Sequence, residues 1–164
     1  MSFDRTRVLF VCTGNTCRSV MAEHALRAHL DRAGLADAVD AASAGLAVSE
    51  PGGPADPRAQ AALRARGYGT EHRARQFEPE MLGASDLVIA LDSGHEAALR
   101  QAAALRGSTV PIRLLRDFDP EAAGLIAAGR ADIDDPIGGT EQDYVRTLEM
   151  IEHALPGLMA LILG

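Results

Sequence analysis

The chain has 164 residues, 47% of them apolar and 24% charged, which fits one globular domain over residues 1–164 with a single sizeable core. A formal net charge of −7 argues against a nucleic-acid or anionic-membrane surface, and the absence of Lys removes Schiff-base and P-loop-lysine mechanisms. No apolar run approaches the ~20 residues that span a bilayer, Asp4, Arg5 and Arg7 stand where a secretory leader would be apolar, and the two Cys make no disulfide framework; the expected compartment is the cytoplasm.

In chain order, residues 6–12 read as a buried strand, because Val8, Leu9, Phe10 and Val11 form an unbroken apolar run. From Ser19, read as an N-cap, to about Arg32, the positions Ala22, Ala25, Leu26 and Leu30 recur at helical spacing, and Gly34 closes the helix. Val39–Ala44 is a second strand. Pro51, Gly52, Gly53 and Pro54 then punctuate a loop over 46–57. Asp56 N-caps a helix through Ala59, Ala62 and Leu63 that Gly67 stops. Residues 70–77 form an extended connection holding His72, and a short helix follows over 78–82. Leu87–Leu91 is a third strand, Ser93 to about Leu105 a helix, and Val110–Leu115 a fourth strand. The segment 116–139 is long, acidic and Gly-rich, and loops of that length are often functional. Thr140 caps a last helix with Tyr144, Leu148, Ile151 and Leu155 on one face, kinked or restarted at Pro156. His24, His29, His95 and His153 are expected on helix surfaces. Strands alternating with helices predict an α/β three-layer sandwich, a four-stranded parallel sheet with helices on both faces. Ligands bind such sheets outside the strand carboxyl ends, where Cys12, Gly45 and Asp92 stand.

The turn between the first strand and the first helix carries the chemistry. A strand tip running into a helix N-terminus aims several backbone N–H groups at one point, with the helix dipole behind them, which makes an anion seat. Arg18 adds a guanidinium fork suited to two oxygens of a phosphate. Cys12 stands at the mouth of this positive field, which favours its nucleophilic thiolate. Gly14 and Asn15 tolerate the positive φ of a tight cradle, and Ser19 offers a hydroxyl to the sulfur. A sulfur facing a bound phosphate is the apparatus for a phosphocysteine intermediate. That route needs an acid for the leaving atom and a base for water. Asp135 is the candidate, stiffened by Pro136 in a loop that reaches the first strand's tip; Asp134 beside it reads as a solvated carboxylate. No metal or cofactor is called for, since Arg18 and the loop amides supply the positive charge, and the His and Cys residues lack zinc-ligand pairing.

The run VCTGNTCRS is similar to the signature of the low-molecular-weight protein tyrosine phosphatase family, C-x4-C-R-[ST] near the N-terminus. Ser43-Ala44-Gly45, Gly67-Tyr68-Gly69, His72 to Gln76, Leu91-Asp92 and Asp135-Pro136 also stand where that family has similar residues. The resemblance implies a phosphate-binding loop of Thr13, Gly14, Asn15, Thr16, Cys17 and Ser19, with phosphate or sulfate seated in it, between the catalytic Cys12 and Arg18. It places the family's general acid at Asp135 and an internal polar network at Asn15, Ser19, Ser43 and His72. It gives Cys17 as a partner for a reversible disulfide with Cys12, against the plain reading of a packed thiol. Asp92 is taken to order the loops around the cradle.

Three departures bear on the substrate. Thr16 stands where tyrosine-directed members have a bulky aliphatic residue. Ile137 and Gly138 follow Asp-Pro where those members have aromatics, and the loop near Ser49 has no aromatic. A phenyl ring needs flat apolar walls. Thr16 with Asp-Pro-x-Gly-Gly resembles the protein-arginine-phosphatase branch. The reading is therefore a cysteine-dependent phosphatase of phosphorylated proteins, acting on phosphotyrosine or, as Thr16 suggests, phosphoarginine. Two other classes stand beside it. A thiol-dependent arsenate reductase needs a resolving Cys downstream, and none follows Cys17. A non-catalytic phosphate-binding module typically lacks the nucleophile or the acid, and this chain has Cys12, Arg18 and Asp135.

Overall fold

The apolar runs form four parallel strands, β1 (Thr6–Cys12), β2 (Val39–Gly45), β3 (Leu87–Ala90) and β4 (Ile112–Leu114), in the order β2-β1-β3-β4. The computed structural model describes residues 5–129 and 132–164. β1 pairs with β2 along its whole length, from Thr6 opposite Val39 to Cys12 opposite Gly45. On its other side Val11 lies opposite Ala90 of β3. The chain leaves β1 for β2 at one edge and returns across it to β3 and β4. The carboxyl ends of β1 and β3 therefore flank the point where strand order reverses, the usual ligand crevice of an open parallel sheet.

Alternation along β1 separates two apolar layers. Val8, Phe10 and Cys12 face α1 (Arg18–Arg32), α2 (Pro57–Ala65) and α6 (Glu141–Leu163), where Met21, Leu26, Leu63, Tyr144 and Leu155 are fully buried. Leu9 and Val11 face α3 (Glu80–Gly83) and α4 (Ser93–Arg106), through Leu82, Leu99 and Ala103. Burying one such large side chain is worth roughly 2 kcal/mol, whereas exposed ion pairs such as Arg5–Asp40 and Arg7–Asp86 contribute about 1 kcal/mol at most. The layers are held by the core.

The caps at Asp56, which accepts from the Arg58 N–H at 2.8 Å, and at Thr140, which forms a capping box with Asp143, stand where the sequence puts them. Other expectations need correction. The α1 helix starts at Arg18, and its N-cap is Cys17 with no side-chain cap; the Ser19 hydroxyl is taken by the site and does not cap the helix. β4 is shorter than expected, because Leu115 turns into a 3₁₀ turn over Leu115–Phe118. The long segment after it holds a further helix, α5 (Ala122–Ala127), where good helix formers outweigh Gly124. Pro156 does not break α6. It sits on the exposed side, while Leu155 and Leu158 stay fully buried. His24 and His95 are buried, not surface residues: the extended connection covers His24, whose Nε2 donates to the Glu71 carbonyl at 2.7 Å, and His95 packs against the tip of β1. His29 is half-buried against Tyr68, and His153 is exposed.

Candidate active site

Residues 12–18 wrap the crevice at the end of β1, and their shape is imposed from outside. The carbonyl of Cys12 accepts from the Leu46 N–H, that of Thr13 from Ala47 and that of Thr16 from Asp56, each at 2.9 Å. The Asn15 carbonyl accepts from His72 Nε2 at 2.6 Å. With the carbonyls drawn outward, the peptide N–H groups turn inward. Among the described residues none of those from Thr13 to Cys17 donates to a protein acceptor. A ring of inward amides at a helix N-terminus is an anion seat.

Asn15 is the keystone of this shape. It is fully buried and adopts φ 55°, a left-handed conformation that costs about 1–3 kcal/mol and persists only when over-determined. Gly14, also expected to use positive φ, does not. The Asn15 side chain makes three bonds: Oδ1 accepts from the Arg75 N–H, and Nδ2 donates to Ser19 Oγ and Ser43 Oγ, all at 2.9 Å. Because Ser19 Oγ accepts from Asn15, its own proton is free to point at Cys12 Sγ, 2.9 Å away. Ser43 Oγ passes its proton onward to Glu23 Oε1 at 2.7 Å, and Arg27 balances that buried carboxylate at 2.9 Å. Gly45 completes the fit. A Cβ there would sit 2.6 Å from the Thr13 carbonyl and 2.9 Å from the Asn15 nitrogen, so only glycine lets the end of β2 lie against the loop.

Arg18 is almost wholly buried. Its Nη1 donates to Asp92 Oδ2 at 2.9 Å and to the Ile133 carbonyl at 3.1 Å, and its Nη2 lies 3.4 Å from Asp135 Oδ2. Asp92 also caps α4. Burial works to raise its carboxyl, but bonds from the His95 N–H and from Arg18 prevail and hold it below the ordinary carboxylate range. Besides this ion pair, Asp135 is held by its Oδ1, which accepts from the Ile137 N–H at 3.1 Å. Its side chain stays 47% exposed. Cys12, Thr13, Gly14, Thr16, Cys17, Arg18, Asp135 and Ile137 thus line one slot of about 20 Å³.

Cys17 is a separate case. Burial pushes its thiol up, against hydrogen bonds from Tyr144 and Thr16. Its Sγ lies 3.4 Å from the hydroxyl of the fully buried Tyr144. Cys12 and Cys17 are both free.

Every site residue expected from the sequence is brought together here, with Ser43 and His72 supporting the loop from behind. Two residues were missed. Glu23 follows Ser19 by four and precedes Arg27 by four on α1, so all three share one helix face. His95 is the third residue of α4, the position that meets an N-cap side chain.

The family model described as low molecular weight phosphotyrosine protein phosphatase matches residues 7–163. A low molecular weight protein-tyrosine-phosphatase of Streptomyces coelicolor is 46% identical over 95% of this chain and 93% of its own length. The protein-arginine-phosphatase of Bacillus subtilis is 31% identical over 90% of this chain and 91% of its own. A structure of the YwlE arginine phosphatase with a phosphorylated active-site serine superposes with a TM-score of 0.78 at 30% identity, covering 95% of each chain. With a family match over nearly its whole length, and relatives aligned end to end, the chain belongs to the low molecular weight protein-tyrosine-phosphatase family, whose members are hydrolases of phosphorylated proteins.

Proposed function

We propose that Cys12 is the nucleophile, Arg18 the phosphate clamp and Asp135 the general acid and base of a protein phosphatase confined to one domain in the cytoplasm. The observation that carries this reading is the meeting of these three side chains in one slot: sulfur on its floor beside a hydroxyl donor, guanidinium fixed by Asp92, and an exposed carboxyl opposite. The inward amides and Arg18 hold the non-bridging oxygens. The Cys12 thiolate attacks phosphorus, the bond to the leaving atom breaks, and Asp135 gives that atom its proton. Asp135, now a carboxylate, takes a proton from water as the water attacks the phosphocysteine. Inorganic phosphate leaves and the thiolate returns. Support comes from a Cys→Ser mutant of the YwlE arginine phosphatase, in which the active-site serine carries the phosphoryl group.

The first substrate reading is phosphotyrosine in proteins, on the strength of the tyrosine phosphatase at 46% identity. Phosphoarginine is the second, favoured by the polar Thr16 on the wall of the slot and by the lack of an aromatic side chain among its lining residues. Purified protein is expected to hydrolyse p-nitrophenyl phosphate and Cys12→Ser to lose this activity; unchanged turnover in that variant would reject the nucleophile. Matched phosphotyrosine and phosphoarginine peptides separate the two substrates. A tyrosine preference of tenfold or more in kcat/KM rejects the arginine reading, and a preference for phosphoarginine that Thr16→Ile reverses establishes it.

A further inference from the structure

The N-terminus of α4 grips both ends of the phosphate-binding loop. Asp92, its N-cap, holds Arg18 at the far end of the loop. His95, one turn in, reaches the near end: its Nε2 lies 2.8 Å from Oγ1 of Thr13, the residue after Cys12. The two grips are joined, because the His95 backbone N–H donates to Asp92 Oδ1 at 2.8 Å. The ring Nδ1 lies 3.2 Å from that same oxygen, off the line of a good hydrogen bond, and has no other protein partner among the described residues. His95 is only 4% exposed.

We propose that His95 is a positioning residue that sets the opening of the phosphate seat by fixing Thr13 and the Asp92 carboxylate together. The inference rests on the phosphatase reading above. Its chemistry follows from the contacts. Burial holds the imidazole below its ordinary range despite the Asp92 charge, which favours the neutral ring near neutral pH. The proton stays on Nδ1, which faces the carboxylate, and Nε2 accepts from the Thr13 hydroxyl. Thr13 is otherwise exposed; this bond, with the one from Ala47 to its carbonyl, fixes the peptides on either side of it. Those peptides carry N–H groups of the anion seat. The His95 backbone N–H, with the ring beside it, keeps Asp92 turned toward Arg18. His95 therefore touches no substrate atom, but sets the distance between the first amides of the loop and the guanidinium at its end.

The test uses side chains that keep or remove the Nε2 contact. His95→Gln places an amide close to where Nε2 stands, whereas His95→Leu fills the space with no polar atom. His95→Leu is expected to lose about tenfold in kcat/KM, the worth of one buried hydrogen bond, and to weaken inhibition by orthovanadate by a similar factor. His95→Gln is expected to recover both to within about threefold. Thr13→Val should reproduce the His95→Leu loss, and the double variant should lose no more than either single one, because both remove the same contact. The proposal falls if His95→Leu keeps both quantities within about twofold, if Gln and Leu are equally impaired, or if the two single losses multiply. Should His95→Leu fail to fold, Thr13→Val decides alone, since its side chain is on the surface. Failure of the phosphatase reading shows separately, as no turnover by the unaltered protein.

Discussion

From Cys12 to Ser19 most side chains and the carbonyls of Cys12, Thr13, Asn15 and Thr16 have partners inside the protein, whereas from Asp132 to Gly139 most side chains face solvent. The loop draws its partners from β2, the segment before α2, the extended connection and α4. The acid segment is tied at its ends and along its backbone, by Ile133 buried against Leu91, by Ser93 on Asp132, by Arg18 and Thr147 on the carbonyls of Ile133 and Asp134 and by Arg58 on that of Gly139, while the side chains of Asp134, Asp135 and Ile137 stay exposed. Ile137, at its tip, is 63% exposed. On the proposed function, the first half receives an anion that is the same in every substrate, and the second meets the leaving group, which differs from substrate to substrate. Side-chain partners are then concentrated where the ligand never changes.

Substitutions in the two halves should therefore fail differently. The largest effect after loss of the nucleophile is expected for Asp135→Asn, with kcat down about 10²–10³-fold and orthovanadate affinity little changed. Steady-state kinetics with leaving groups of rising basicity check it, because only loss of a proton donor makes the penalty grow with basicity. Gly45→Ala attacks the receptor half. Its Cβ meets two backbone atoms of the loop that cannot swing aside, so a stability loss of about 2–4 kcal/mol is expected together with weakened oxyanion binding; urea unfolding with and without phosphate reads both.

Acid should also weaken the fold, through two buried histidines. Burial holds His24 and His95 below the ordinary histidine value of 6.5. The unfolded chain takes up these protons before the folded one, so stability is full above that value and falls as pH drops below it. At one pH unit below, each histidine subtracts at most about 1.4 kcal/mol, and urea midpoints at pH 7.5 and 5.5 measure the sum. The smallest effect is expected at Ile137→Ala: no change in unfolding, kcat within about twofold, and a few-fold change in KM that depends on the substrate. An equal change for phosphotyrosine and phosphoarginine peptides would remove Ile137 from substrate choice.

What the sequence discloses follows the same division. Cys12, Arg18 and the loop between them are legible because strand, turn and helix are consecutive and the chemistry is written in one short run. Asp135 is legible more faintly, through the Pro136 beside it, a loop long enough to reach the first strand's tip, and the family-like Asp-Pro pair. Ser19 misleads as an N-cap because a serine before a helix is ordinarily one; here Asn15 and Cys12 compete for its hydroxyl and win. His24 and His95 look like surface residues on a helical wheel, since what covers them arrives from residues 69–76 and from the strand tip. The α5 helix hides inside a Gly-rich stretch whose alanines carry little periodicity. Local preference is readable, and contacts between distant segments are not.

The outward-drawn carbonyls have a consequence for how the protein acquires its activity. The segments that hold them come from residues 46, 47, 56 and 72, so the seat does not exist until all of these have docked onto the first strand. A fragment ending before them would contain the Cys12 sulfur and the Arg18 guanidinium, without the contacts that turn the loop's amides toward an oxyanion. During refolding, helicity should return before catalysis, which makes hydrolysis a late and sensitive reporter that the chain is fully assembled.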